Sequence, residues 1–340
     1  MRKDLLPSGR SSYKANLHAH SNYSDGCLTP AQLKEAYRSR GYAVVAFSDH
    51  EYLLDHSDLT DRSFLALTSY ELQITDMTVE CKLHRKSTHL NLFARDPHNV
   101  TQIYFNPKYF FCGDQSLIPT LTYVGGAQAE RYHTPECIND IIRRANDLGF
   151  IVSYNHPNWS LDDITDYGAL HGLFAMEIYN TSCDKSGFHG YNRAAYDEML
   201  RSGQRLGCIA TDDNHNKLPF DHPLNDSFGG FTMLSPREFS YEAVIDAMDA
   251  GDYYASTGPL ISELYYEDGK IKLSCSPAKA VTMITYGRRT AAIQEKDVLL
   301  EHAEFSINES DVYVRIEVAD HEGRYAFSRA YFLSEFLKYE

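Results

Sequence analysis

Asn16-Leu17-His18-Ala19-His20-Ser21-Asn22-Tyr23-Ser24-Asp25-Gly26 places two histidines two positions apart, just after Leu17, and follows them with a carboxylate in a Gly-ended turn. Residues two apart in extended chain share a face, so His18 and His20 can aim both imidazoles at one point. Neutral imidazole is a good ligand for zinc, manganese and iron, and Ser24-Asp25-Gly26 reads as a turn that returns a third ligand. The pair alone is equally a surface feature beside a loop, so the rest of the chain has to decide.

Outward from this stretch, polar tips follow apolar runs. Thr29-Pro30 opens a first helix, with Gln32 completing a capping box, and Gly41 is read as its left-handed stop. Tyr42–Phe47 is a continuous apolar run, the pattern of a strand buried on both faces, and it ends in Ser48-Asp49-His50. The run from Phe64 leads to Glu71, and Thr88–Phe93 reads as a strand with His89 near its start. A helix opening at Thr134-Pro135 reaches about Leu148. The strand Phe150–Tyr154 then leads into Asn155-His156-Pro157. Leu173–Tyr179 is the next strand, a helix covers about Tyr191 to Ser202, and Leu206–Ala210 runs into Thr211-Asp212-Asp213-Asn214-His215. Phe231–Leu234 precedes a helix to about Ala250 whose start is either Ser235-Pro236 or Ser240. Strand, polar tip, helix is the signature of a parallel α/β domain, open or closed into a barrel, and such folds build sites at strand C-termini.

Beyond about residue 258 the texture changes to short alternating strands separated by turns such as Asp268-Gly269, which predicts a small antiparallel β domain. The expected units are therefore 1–258 and 259–340. Residues 96–126 are aromatic-rich without a period and read as a long loop or insertion. Tyr104, Phe105, Tyr109, Phe110, Phe111 and Tyr123 within it would either line a substrate pocket or form a satellite hydrophobic cluster.

The 340 residues carry a net charge of −15, which argues against a nucleic-acid backbone as main partner. A small anionic substrate is still compatible, because bound cations reverse the local field. No run is long enough to span a membrane, and the N-terminal stretch lacks an apolar signal core, so a cytoplasmic location is expected. The 7 cysteines include no Cys-x-x-Cys pair, which favours reduced thiols and disfavours a thiolate metal site.

The tips collect His18, His20, Asp25, His50, Glu71, His89, His156, Asp213 and His215. Gathering this many buried polar groups at one rim without a common use would be costly, so a polynuclear metal site is expected. The mixed nitrogen and oxygen set fits zinc, manganese or iron. Glu177 is a candidate to orient a ligand histidine. Lys185, His189, Arg193 and Arg143 are candidates to meet substrate anions.

His18-Ala-His20 with Ser24-Asp25-Gly26, Ser48-Asp49-His50, Glu71, His89, Asn155-His156-Pro157 and Asp213-Asn-His215 resemble, in order, the motifs of the PHP (polymerase and histidinol phosphatase) superfamily over about residues 14–258. Glu177-Ile-Tyr-Asn180, Ala210–His215 and Tyr254–Pro259 further resemble its carbaryl-hydrolase-like metallohydrolases, which carry a β-rich C-terminal extension. The resemblance implies a distorted (β/α)7 barrel with two or three divalent metal ions in its mouth. His18, His20, Glu71 and Asp213 would hold one ion. Glu71 would bridge to a second, held also by His89 and His156, and Asp25, His50 and His215 would complete a third. The implied activity is hydrolysis of phosphate mono- or diesters of a small metabolite, with a water bridging the ions as nucleophile and Asp213 or His215 relaying a proton. Alternatives are a carboxyl-ester, carbamate or amide hydrolase with the same centre, and a non-catalytic metal-binding module. The family usually has Gly before the motif glutamate; here Tyr70 stands there and would crowd the site or touch substrate.

Overall fold

The computed structural model describes residues 2–337, so Met1 and the last three positions of the expected C-terminal unit lie outside the described residues. Seven strands come first: β1 (Tyr13–Asn16), β2 (Tyr42–Phe47), β3 (Leu65–Thr75), β4 (Ser87–Ala94), β5 (Phe150–Tyr154), β6 (Ala175–Asn180) and β7 (Gly207–Thr211). Each pairs with its neighbour in sequence. The β1–β2, β2–β3, β5–β6 and β6–β7 pairs are parallel, while β4 runs antiparallel to both β3 and β5.

Period-two alternation decides the two faces. Ala15, Val44, Ala46, Leu65, Leu67, Phe93, Ile151, Ala175 and Ile209 form one inner cluster to which all seven strands contribute. Leu92, Phe150, Val152, Met176 and Cys208 point the other way, against the apolar stripes of α2 (Pro135–Asp147) and α4 (Arg193–Arg201). One inner face shared by seven strands requires the sheet to curl.

The curl does not close into the expected barrel. From β1 the ladder passes to the antiparallel strand β8 (Phe231–Leu234) and then to β9 (Tyr253–Ser256), not back to β7. The seam between β7 and β1 is crossed just beyond the strand ends, where Asp213 N donates to His18 O (2.9 Å) and His20 N to Asn214 O (3.1 Å). Lower down, Thr232 Oγ1 bonds both backbone groups of Ala210 and fills the gap where ladder bonds would be. The architecture is a mixed α/β fold with one large, strongly curled sheet.

Helix ends follow the local chemistry. In α1 (Pro30–Arg38) Thr29 and Gln32 form the capping box, but the last helical turn is capped at Ser39, and Gly41 takes its positive φ two residues further on. Helix α5 (Tyr241–Ala250) starts at Ser240, whose side chain accepts from Ala243 N, and ends at left-handed Gly251. α5 packs Val244 and Met248 into the inner cluster.

After β9 the large sheet continues through Tyr325–Ser328, Tyr313–Ala319 and Ala280–Thr285. A second antiparallel sheet, Ile261–Glu267, Lys270–Ala278 and Leu300–Ser306 with Lys3–Asp4 at its edge, faces it. Leu264, Ile271, Leu273 and Phe305 meet Val281, Met283, Ile316 and Val318 in a core of their own. No described helix is long and apolar enough to cross a membrane.

Candidate metal centre

All nine candidate ligands meet at one end of the curled sheet. His18 and His20 follow β1, His50 follows β2, His156 follows β5, and Asp213 and His215 follow β7. Glu71 lies within β3, and His89 near the start of antiparallel β4, which brings it to the same rim. Gly26 makes the Asp25 turn possible, since a Cβ there would stand 2.2 Å from His20 O.

The approaches are short. His20 Nε2 lies 2.9 Å from Asp213 Oδ1, and His18 Nε2 lies 3.3 Å from both Asp213 Oδ1 and Glu71 Oε1. Glu71 Oε1 also faces His89 Nδ1 (3.1 Å) and His156 Nε2 (3.2 Å), while its Oε2 faces His50 Nδ1 (3.0 Å) and His20 Nε2 (3.6 Å). Asp25 Oδ1 faces His215 Nε2 (3.3 Å), His50 Nε2 (3.8 Å) and His20 Nδ1 (3.9 Å). Three sets thus offer ligand atoms within 4.8 Å of one another: His18–His20–Asp213, His50–Glu71–His89 and His20–Asp25–His50–His215.

Orphaned atoms test whether cations fit. Asp25 Oδ1, His50 Nδ1, Glu71 Oε2 and both ring nitrogens of His89 are buried without a hydrogen-bond partner. His50 Nδ1 and Glu71 Oε2 are close in space yet misaligned for bonding to each other. Buried polar atoms without partners are costly and uncommon. Their convergence from four different chain segments, as imidazole and carboxylate, is the donor set of a divalent transition metal.

Electrostatics point the same way. Burial would raise the Glu71 carboxyl, but His89, His18, His50 and the bond to His156 hold it well below its usual range. Asp25 and Asp213 are likewise held low against their burial by surrounding histidines. Burial, with His50 and His215 adding repulsion, pushes His20 down to about 4. Burial also opposes protonation of His215, but Asp25 and Asp213 raise it to about 9. The carboxylates are held ionised and His20 neutral, while His18 and His215 are held protonated against their burial by the same carboxylates, so a bound cation would take the place of those protons.

Around the ligands lies a fully bonded layer. Glu177 is buried and accepts from Thr211 Oγ1 (2.7 Å), His156 N (2.9 Å) and Asn180 Nδ2 (2.9 Å), and pairs with His18 Nδ1 (2.7 Å). Its partners are all protein groups, so it orients His18 and leaves Nε2 facing the cluster, acting from within β6 and not from the strand end that the sequence suggests. Asn155 Nδ2 donates to Glu71 Oε1 (2.9 Å).

Two carboxylates of this layer escaped the sequence reading. Asp49 takes the amides and hydroxyls of Ser21 and Ser24 and so fixes the Asp25 turn. Asp212 takes the amides of Phe228, Gly229 and Gly230 and the hydroxyls of Thr181 and Tyr37. Each directly precedes a candidate ligand, and adjacent residues in extended chain face opposite ways. That adjacency was the available signal.

Other expectations divide. Tyr70 is fully buried on the far face of β3, where its hydroxyl meets Ile103 N, so it neither crowds the site nor can reach a substrate. In the 96–126 segment, Phe105 and Phe110 pack with Tyr52 and Leu121, Tyr123 stacks on Phe105 at 4.1 Å, and Tyr104 bonds Asp140. Only Phe111 of those six aromatics reaches the cavity over the ligands, which has a volume of about 540 Å³. Among the four cationic candidates only Lys185 lines it; Arg143 pairs with Asp140 and Asp147, and Arg193 with Glu317.

No family model matches the chain, and no curated protein matches it. Solved structures similar to it include a two-domain protein from Bacteroides vulgatus containing a proposed PHP-like metal-dependent phosphoesterase, with 16% identity, 96% of this chain and 98% of that one covered, and a TM-score of 0.45. A proposed metal-dependent phosphoesterase from Bifidobacterium adolescentis shares 16% identity over 65% of this chain and 93% of that one, with a TM-score of 0.38. An amidohydrolase from Chromobacterium violaceum, solved with sulfate and no metal, shares 14% identity over 59% and 87%, with a TM-score of 0.38. All three TM-scores lie below 0.5, so the functional reading rests on the site itself.

Proposed function

We propose that this chain is a metal-dependent hydrolase of phosphate mono- or diesters of a small metabolite, of the PHP type. The observation that carries this reading is the set of unpartnered imidazole and carboxylate atoms converging at the floor of an open 540 Å³ cavity. A purely structural metal site would be closed by its ligands.

His18, His20, Asp25, His50, Glu71, His89, His156, Asp213 and His215 are the proposed ligands of two or three zinc, manganese or iron ions, with Glu71 offering one oxygen to each of two groups. Bound divalent ions supply Lewis acidity toward the ester oxygens and lower the pKa of coordinated water. Glu177 fixes the His18 ring, Asn155 fixes Glu71, and Asp49 and Asp212 hold the chain segments that carry Asp25 and Asp213. Asp213 and His215 are the proposed proton-handling groups. Replacing either while metal content holds should lower turnover, and unchanged turnover would remove that role.

Phe111, Trp159, Leu218 and Leu224 on the rim favour one second reading, hydrolysis of a carboxyl ester, carbamate or amide with an apolar substituent. We assign the metal centre to the unit 1–258, with 259–340 as a β unit bracing it through the shared sheet. Seven free cysteines fit a reducing compartment, and the cytoplasm is the proposed location.

Manganese-reconstituted protein, offered a chromogenic phosphomonoester, phosphodiester and carboxyl ester, tests the reading, with His18→Ala, His20→Ala as control. Phosphoester turnover that vanishes in the control is expected. Turnover of the carboxyl ester alone would establish the second reading, and no turnover with metal bound would leave a binding module.

A further inference from the structure

The cavity rim carries residues that neither hold the proposed ions nor orient their ligands. Trp159, the sole tryptophan of the chain, stands edge-on to His89 at 4.9 Å and to His156 at 5.1 Å, yet is 39% exposed. Phe111 lies 5.1 Å from the His50 ring and is 58% exposed. It is held there by its neighbour Phe110, which is anchored against Tyr52 and Phe105. Two large aromatic faces left in water beside ligand histidines are surface that a flat apolar group would cover favourably.

Lys185 ends the short helix α3 (Thr181–Lys185) that follows β6 and lines the same cavity. It is half-buried, and among the described residues no carboxylate lies within ion-pair distance of it. The other lysine of the rim, Lys217, already lies 3.5 Å from Asp25 Oδ2. In the strand order Lys185 belongs to β6, Trp159 to neighbouring β5, and the His50 that carries Phe111 to β2, on the other side of the mouth.

We propose that the cavity recognises a substrate with two separate anionic groups joined by a flat apolar segment. The ester to be cleaved lies on the ligand cluster, the apolar segment lies along Trp159 and Phe111, and the second anion pairs with Lys185 Nζ. This assignment rests on the hydrolase reading and names the substrate class for the same site.

Trp159 makes binding measurable without turnover. Phenylphosphonate and 4-carboxyphenylphosphonate carry an unhydrolysable P–C bond and differ only in the second anion. Titrated into manganese-loaded protein, both should change Trp159 emission, and the carboxylated probe should bind about tenfold tighter. Lys185→Gln should abolish that preference without weakening phenylphosphonate. Phe111→Ala should weaken both probes several-fold by calorimetry. Equal affinities in the unmodified protein, an unresponsive Trp159, or a preference that survives in Lys185→Gln but disappears in Lys217→Gln would each overturn the proposal. Phosphate release from phenyl phosphate and 4-carboxyphenyl phosphate is measured alongside. Binding with the expected preference but no release would sink the hydrolase reading alone; release without preference would sink the two-anion reading alone.

Discussion

Among the described residues, buried charge is assembled in two opposite ways. Arg315, in the strand Tyr313–Ala319, is fully buried, with Nε 2.9 Å from Asp197 Oδ1 and Nη1 2.6 Å from Glu317 Oε1. The network closes on itself across the junction between α4 and the C-terminal strands. At the ligand cluster, short approaches coexist with orphaned atoms. A closed network is a structural fastener; an open one fits a cation, which would supply partners to its orphaned atoms. Glu51 and Arg131 repeat the closed pattern beside the site, paired at 2.6 and 2.8 Å, and Arg131 also donates to Tyr104 O, tying the aromatic insertion to the residue after His50.

The sharpest way to break this contrast is Arg315→Ala. It takes from Asp197 its partner at 2.9 Å and leaves Glu317 only its pair with Arg193, and should cost roughly 3–5 kcal/mol of unfolding free energy with metal content unchanged. Chemical denaturation and elemental analysis check both halves, and a loss of metal would show that the two groups are not independent. Next comes manganese itself. At a hundredfold excess over Kd it should stabilise by about 2.7 kcal/mol, an upward Tm shift of roughly 5 °C. The His18→Ala, His20→Ala variant should show no shift in the same thermal scan.

Glu177→Gln should weaken metal binding by roughly 10–100-fold while the ligands remain present. Competition with a chelator reads this, and an unchanged affinity would reduce Glu177 to a packing residue. The smallest effect concerns His133, which belongs to a closed pair. Burial would lower its pKa, but the bond to Asp162 and the charges of Asp162 and Asp166 raise it. A raised pKa adds stability that is present below about pH 6.5 and lost as pH climbs through the folded value. Against His133→Gln, the protein should lose roughly 0.2–1 kcal/mol over that rise. A gain instead would reverse the assignment.

The same contrast explains what could be read from the sequence. Most candidate ligands were legible because they stand just after an apolar run, where chain order alone brings strand tips together; Glu71 lies inside β3, and His89 reaches the same rim from the start of antiparallel β4. Six of the seven curled strands could be read from the sequence, two of them, Tyr42–Phe47 and Phe150–Tyr154, through continuous apolar runs; of β1, only Leu17 at its inner end stood out. The fasteners were not legible. Glu51 and Arg131 are 80 positions apart, and Arg315 and Asp197 are 118 apart, with no motif to join them. Closure was also misjudged, since no periodicity says whether the ladder leaving β1 turns back to β7 or goes on to β8. Residues 96–126 lacked a period because their core is a small cluster assembled from turns and 3-10 segments.

The open seam has a kinetic consequence. Above Thr232, β1 and β7 are bridged by loop backbone at His18, His20, Asp213 and Asn214 and by the Asn16 side chain, which accepts from Asp212 N and donates to Asn214 Oδ1; three of these residues are proposed ligands. A bound ion would therefore act as a rivet through this joint of the wall. In the metal-free protein, the amide protons of His20 and Asp213 should exchange with solvent through local gaping of the joint. Riveted, they should exchange only when the whole wall comes apart.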